Sequence, residues 1–284
     1  MSKKIKHVST FMAVAMASVF SGLAMGQPML HSSEHPLTLK TDTGSHFTVT
    51  GNASLTSDYR FRGFTQTNYG AAFQGGFDIQ HHSGLYAGNW NSNVSSSLLN
   101  GANLEMDFYA GYKGKLANGI GYDTGFVYYY YPRSGKAGSP IAGQKVKNSE
   151  LYVGASYGPF IAKYFYATSD YFSTAKLFGA PNSTKGSTYL DLNFLQDIGY
   201  GLTLGAHAGL LSVKNNEQFT QVDGSALPKR VADYKVSLTK RVEGFDLTGA
   251  VVTTSKKGYF ANSLTAPFEE AGKTRGVVSV ERLF

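Results

Sequence analysis

The chain contains no cysteine, which excludes a disulfide scaffold for an exported protein. Beyond the amino terminus it has no apolar run of the ~20 residues that a transmembrane helix needs. Its mean hydropathy of −0.20 would suit a soluble protein. The net charge of +7 is modest, and no basic run is interleaved with aromatics, so nothing marks a nucleic-acid-binding protein. No internal repeat and no compositional break divides the chain. Low hydropathy without helices is also what strict alternation produces, because every second position is polar and dilutes the mean.

The amino terminus has the three parts of a secretory signal. Lys3, Lys4 and Lys6 form the basic region, Phe11 to Phe20 the apolar core, and Ala24-Met25-Gly26 a small-x-small cleavage site before Gln27. The apolar core is too short for a membrane anchor, so residues 1–26 are expected to be removed and 27–45 to form a periplasmic lead. Loss of the three lysines lowers the net charge from +7 to +4. The remaining 258 residues (284 minus 26) can hold one all-β domain, the barrel being expected over 46–284. Nineteen tyrosines, 19 phenylalanines and 33 glycines suit barrel girdles, turns and crowded walls.

Period-two alternation predicts about twelve antiparallel strands and thus a transmembrane β-barrel. The first is expected over His46 to Phe61, with Phe47, Val49, Ala53, Leu55, Tyr59 and Phe61 facing outward. The second places Phe73, Phe77 and Ile79 opposite Gln74, Asp78 and Gln80. In the third, Tyr86, Gly88 and Trp90 are assigned outward so that Asn89, Asn91 and Asn93 share the lumen. The fourth is clearest: Leu104, Met106, Phe108 and Ala110 alternate with Glu105, Asp107, Tyr109 and Gly111. A soluble helix would scatter those residues around its cylinder. The other strands are expected near 120–131, 148–157, 160–168, 187–196, 202–213, 231–240, 245–255 and 274–284. Five short gaps alternate with six long ones, the asymmetry of periplasmic turns and extracellular loops. The last strand ends in Phe284, a terminal aromatic suited to recognition by barrel-assembly machinery, with Arg282 interrupting its apolar face.

Several segments resemble a known family. Ser57 to Thr67 (SDYRFRGFTQT), Gln74 to Asp78, Tyr86 to Val94, Glu105 to Tyr112, Tyr128 to Pro132 and Glu150 to Gly154 are similar to the TorF-type porins of proteobacteria. That group is also described as the Gcw conserved outer-membrane proteins. The likeness departs at Asn89, where the name-giving Gly-Cys-Trp has cysteine, and in the loops after 169. The resemblance implies an exported outer-membrane barrel of Gram-negative bacteria that acts as a porin, and it supplies no catalytic residue.

The inward phase nominates pore-lining residues: Asp58, Arg60, Asp78, Glu105, Asp107, Tyr109, Asp123, Tyr129, Glu150, Lys163, Asp191, His207, Asp233, Lys235 and Arg275, with Arg62 just above. Asp246 and Glu281 share that phase. Unlike charges in a narrow lumen should pair across strands. Because ~8 strands leave a filled barrel and 16–18 an open channel, twelve point to a narrow pore for small hydrophilic solutes. The alternative is a non-conducting structural or adhesive barrel with partner-binding loops. Loop lysines such as Lys136, Lys176, Lys214 and Lys256 suit contact with lipopolysaccharide phosphates. An enzyme is not expected: His207 is the only histidine in mid-strand and points inward, while His31, His35, His46, His81 and His82 lie at the opposite end from the long loops. No cofactor or metal is expected, since adjacent His81 and His82 should point to opposite faces of a strand.

Overall fold

Alternating segments of eight to twelve residues give the wall of the molecule, a single closed antiparallel barrel of twelve strands. The computed structural model describes residues 46–264, 267 and 269–284. The expected signal peptide and lead therefore lie outside the described residues. The wall strands are β1 (Phe47–Thr56), β4 (Ala72–His81), β5 (Leu85–Asn93), β6 (Leu104–Lys115), β7 (Gly121–Tyr130) and β8 (Lys147–Tyr157). They continue as β9 (Phe160–Ala167), β10 (Thr188–Gly199), β11 (Leu202–Ser212), β12 (Val231–Val242), β13 (Phe245–Thr254) and β14 (Arg275–Leu283). Two short strands, β2 (Arg60–Phe61) and β3 (Phe64–Thr65), form a separate hairpin.

Each wall strand pairs with its sequence neighbour, and β14 closes on β1 through Asn52↔Leu283 to Thr56↔Ser279. Gly51 and Phe284 complete the seam with reciprocal backbone hydrogen bonds of 2.7 and 2.9 Å. The connections alternate in length: 82–84, 116–120, 158–159, 200–201 and 243–244 are short, and the others are long. All short connections consequently sit at one end of the barrel.

The outer wall is apolar. Phe73, Phe77 and Ile79 on β4, Leu104 and Phe108 on β6, and Tyr234, Val236 and Leu238 on β12 are exposed, whereas their strand neighbours Gln74, Glu105, Asp107, Asp233 and Lys235 are buried. Only a lipid environment makes such an exterior favourable, and closure leaves no strand edge to satisfy there. Arg282 lies on this outer face with its guanidinium 4.8 Å from the Phe245 ring centroid.

Two expectations are overturned. The first strand stops at Thr56, not Phe61, and the chain from 57 to 71 turns into the lumen. Tyr59 and Phe61, assigned outward, are buried inside. Alternation could not distinguish them because a packed interior rewards apolar side chains as lipid does. The third strand has the opposite phase: Tyr86 and Trp90 are buried, while Leu85 and Ala87 are exposed. Asn89, Asn91 and Asn93 share the outer phase with Phe77, Phe108 and Leu104 across the strand pairs. Their amides are accommodated there by backbone carbonyls of Asp107, Gly75 and Ala71, respectively, at 3.0, 3.3 and 3.2 Å.

Candidate functional site

The lumen is occupied from within by the chain's own first connection. Asp58 accepts hydrogen bonds from Arg60 Nε at 2.5 Å and Thr65 Oγ1 at 2.7 Å, which fold 57–71 into a compact unit. The pairs Arg60↔Thr65 and Phe61↔Phe64 form its ladder. The turn between them uses Arg62 and Gly63, both with positive φ, 50° and 82°. Only glycine can occupy the tip. A Cβ at position 63 would stand 2.5 Å from Asp233 Cβ and 2.6 Å from Thr254 Cγ2, so the backbone touches β12 and β13 directly.

From that tip Arg62 crosses to the opposite wall. Its Nη1 and Nη2 donate to Glu150 Oε1 and Oε2 at 3.0 and 2.6 Å, and Nη1 also donates to Tyr171 Oη at 3.0 Å. Aromatic faces surround the guanidinium, with ring centroids 4.4 Å away at Tyr189, 4.7 Å at Phe61 and 5.4 Å at Phe165. Burial alone would weaken the Arg62 charge, but the Glu150 carboxylate beside it outweighs burial and holds its pKa above the ordinary arginine range. At the other shoulder Tyr59 Oη donates to Glu105 Oε1 at 2.9 Å. Burial pushes the Tyr59 phenol well above its usual range, and the neighbouring Glu105 charge adds to this. Arg60 Nη1 reaches the carbonyls of Gly63 and Lys273 at 3.0 and 3.1 Å, tying the hairpin to the last long loop.

Below this unit the wall carries polar clusters. His207 sits between Asp191 and Asp233, with its ring nitrogens 3.0 and 2.8 Å from their oxygens. Tyr189 Oη donates to Asp233 Oδ2 at 3.0 Å. On the other side Asp123 accepts from Tyr86 Oη at 2.6 Å and pairs with Lys163 Nζ at 2.9 Å. Tyr86 on β5 and Tyr152 on β8 reach toward each other across β6 and β7, and their hydroxyls meet. They can do so because the intervening positions are Gly111 and Gly125, where a Cβ would stand 2.5 Å from the hydroxyl oxygens of Tyr86 and Tyr152. Tyr109 Oη donates to Asp78 at 2.8 Å. Toward the short-turn end Arg241 Nε donates to Asp246 Oδ1 at 2.7 Å.

The nominated residues thus fall into three sets. Asp78, Glu105, Asp107, Tyr109, Asp123, Tyr129, Glu150, Lys163, Asp191, His207, Asp233 and Lys235 occupy the inward phase of wall strands. Arg275 stands on that phase at the exposed long-loop rim, its guanidinium 4.9 Å from the Tyr69 ring centroid. Asp58, Arg60 and Arg62 belong to the inserted hairpin, not to the top of the first strand. Sequence reasoning missed Tyr59, Gly63, Tyr86, Trp90, Tyr152, Tyr171 and Tyr189 as interior groups. The available signal was Arg62-Gly63, a turn-forming step interrupting an otherwise extended apolar alternation. His81 and His82 also depart from expectation: their rings lie 4.2 Å apart, because His82 has left the strand for the turn. Among the described residues no three potential ligands converge on a metal position.

No curated protein matches the sequence. Among solved structures the chain is similar to the KdgM porin and the NanC porin. Each is 9% identical with a TM-score of 0.48, covering 83% of this chain and 98% of the other. It is also similar to Acinetobacter baumannii OccAB1, at 12% identity and TM-score 0.42, over 86% of this chain and 66% of that one. Residues 40–284 match the family described as a bacterial protein of unknown function, Gcw_chp, and the chain belongs to that family.

Proposed function

We propose that this protein is a porin of the Gram-negative outer membrane, giving passive diffusion of small hydrophilic solutes through a narrow charged lumen. The observation that carries this reading is the contrast between the two faces of one closed wall. The outside is apolar, while the inside holds ion pairs and hydroxyls from Arg62–Glu150 down to Arg241–Asp246. A barrel serving only as an anchor has no need of ionised groups along its interior, where pairing them is costly in desolvation. The inserted hairpin narrows the route, and charged walls select what passes. In this reading residues 1–26 direct export, Phe284 is read by assembly machinery, and the long-loop lysines meet lipopolysaccharide.

A second reading, a non-conducting structural or adhesive barrel, is favoured by one feature. Tyr59, Arg60, Arg62, Glu105 and Glu150 are almost wholly buried at the long-loop half, as in a stopper. Single-channel recording of the mature protein in planar bilayers separates the two. Discrete, salt-dependent current steps support the porin, and a silent bilayer containing folded barrel supports the stopper.

A further inference from the structure

The hairpin rests on an unusual pair of acids. Glu105 and Asp107 stand two residues apart on the inward phase of β6, 1% and 0% exposed. Glu105 Oε1 accepts from Tyr59 of the inserted segment, and Tyr131 from the loop after β7 also bonds to Glu105. The Glu105 and Asp107 carboxyls hydrogen-bond each other, and among the described residues no other donor reaches Glu105 Oε2 or either Asp107 oxygen. The titratable groups facing the pair are Tyr59 on the inserted segment, Tyr109 on β6 itself, Tyr129 and Tyr131 on and after β7, and Glu150 on β8. β5 opposes the pair with Ser92 and Trp90, which carry no charge. Arg62, which lies beside Glu150 and Tyr129, is already engaged bidentately by Glu150. Two carboxyl groups this deeply buried and bonded to each other, with no cation paired to them among the described residues, cannot both be charged, so one proton resides between them.

The hairpin is the part of the structure able to yield. It adds no strand to the wall, and side chains and a few loop hydrogen bonds hold it in place. Its turn places a non-glycine residue, Arg62, at positive φ, and among the described residues Arg60 Nη2 and Arg62 Nε lack acceptors. Each of these makes the seated state costly to maintain.

We propose that Glu105 and Asp107 form a proton-sensitive latch for this hairpin. With one proton between them the pair keeps Tyr59 docked and the lumen filled. When that proton leaves to lumen water, both carboxylates require hydration, water enters the contact, and the 57–71 segment lifts from its seat. Opening therefore increases as pH rises. The idea rests on the porin reading for its effect on current, but the movement itself is measurable without current.

The chain lacks cysteine, so Thr65→Cys, at a position 0% exposed, introduces one thiol inside the hairpin. The full mature protein in liposomes is treated with a membrane-impermeant thiol reagent. Rates are normalised to Ser225→Cys in an exposed loop, which removes the thiol's own pH dependence. Between about pH 5 and about pH 9 the normalised rate should rise by up to about tenfold per pH unit, as release of one proton on opening requires. In Glu105→Gln/Asp107→Asn the rate should be low and flat, and Asp107→Asn alone should flatten it if the double variant folds poorly. A flat wild-type profile overturns the latch, as does a slope that survives in the variants. A wild-type slope without any current keeps the latch and removes the porin.

Discussion

The Arg62–Glu150 clamp offers a quantitative test of what seats the hairpin. Both side chains are 1% exposed and bonded through two parallel hydrogen bonds, so neither can be rehydrated when its partner is lost. Removing one member of such a pair leaves a buried charge and costs about 3–5 kcal/mol. Arg62→Met leaves Glu150 with the Tyr129 hydroxyl at 3.3 Å, and Glu150→Gln leaves Arg62 with Tyr171 at 3.0 Å. Neither replacement restores the lost charge. Because the hairpin is not part of the wall, the loss should fall on its seating and spare the barrel. The probes are two amides: Thr65 N–H, bonded to Ala271 O at 3.0 Å, and Gln66 N–H, bonded to Tyr59 O at 2.7 Å. Native-state hydrogen exchange in micelles should show their protection reduced roughly a hundred-fold to a few thousand-fold in either single variant. Amides of the β6–β7 ladder should keep wild-type protection. In Arg62→Met/Glu150→Gln the damage should be less than the sum of the singles by about 1–3 kcal/mol. Unchanged protection at Thr65 and Gln66 in both singles would refute the clamp, and equal loss across the wall would show that hairpin and barrel are one cooperative unit.

Other expectations follow from the two faces of the wall. Phe108→Arg places a charge on the lipid side, costs about 2–4 kcal/mol at mid-bilayer and should sharply reduce the heat-modifiable folded band on gels, whereas Asp107→Asn at the adjacent, lumen-facing position should leave it intact. Gly76→Ala would bring Cβ within 2.1 Å of Asn89 O and should lower stability by about 1–3 kcal/mol in urea titration. Gly249→Ala, whose Cβ meets nothing within 4 Å, should be neutral or gain about 0.4–1 kcal/mol in the same titration. Epitope tags at Lys136, in a long connection, should be reached by antibody on intact cells, and tags at Ala117, in a short one, should not.

Much of the wall was legible because lipid and lumen impose opposite demands on successive residues. On β6 the change from Leu104 to Glu105 to Met106 to Asp107 admits one orientation, and the register places the apolar members outside. The inserted hairpin was not legible for the converse reason. Tyr59 and Phe61 prolong the apolar phase of β1, and local alternation cannot say whether the apolar partner is lipid or the far wall. The phase of β5 failed on the premise that amides seek water. Here Asn89 and Asn91 find backbone carbonyls on adjacent strands, and Gly88 leaves space inside for the Tyr109 ring, which a Cβ would approach to 2.5 Å. Charged residues on the inward phase were identifiable individually, but their pairing was not. Arg62 meets Glu150 across 88 positions of sequence, a contact that only the closed barrel creates.

The tyrosine bridge over Gly111 and Gly125 has a consequence for how such a chain can change over generations. Tyr86, Gly111, Gly125 and Tyr152 lie in one row across four strands, since Tyr86 opposes Gly111, Gly111 opposes Gly125, and Gly125 opposes Tyr152. A side chain gained at either glycine evicts a ring, and a ring lost at either tyrosine uncovers bare backbone. Single steps away from this arrangement are all unfavourable, while a paired exchange that enlarges one site as it shrinks its neighbour is tolerable. The row should therefore drift as a linked set, with size traded between facing positions. In a collection of diverged sequences those four columns should covary more strongly with one another than with the loops above them.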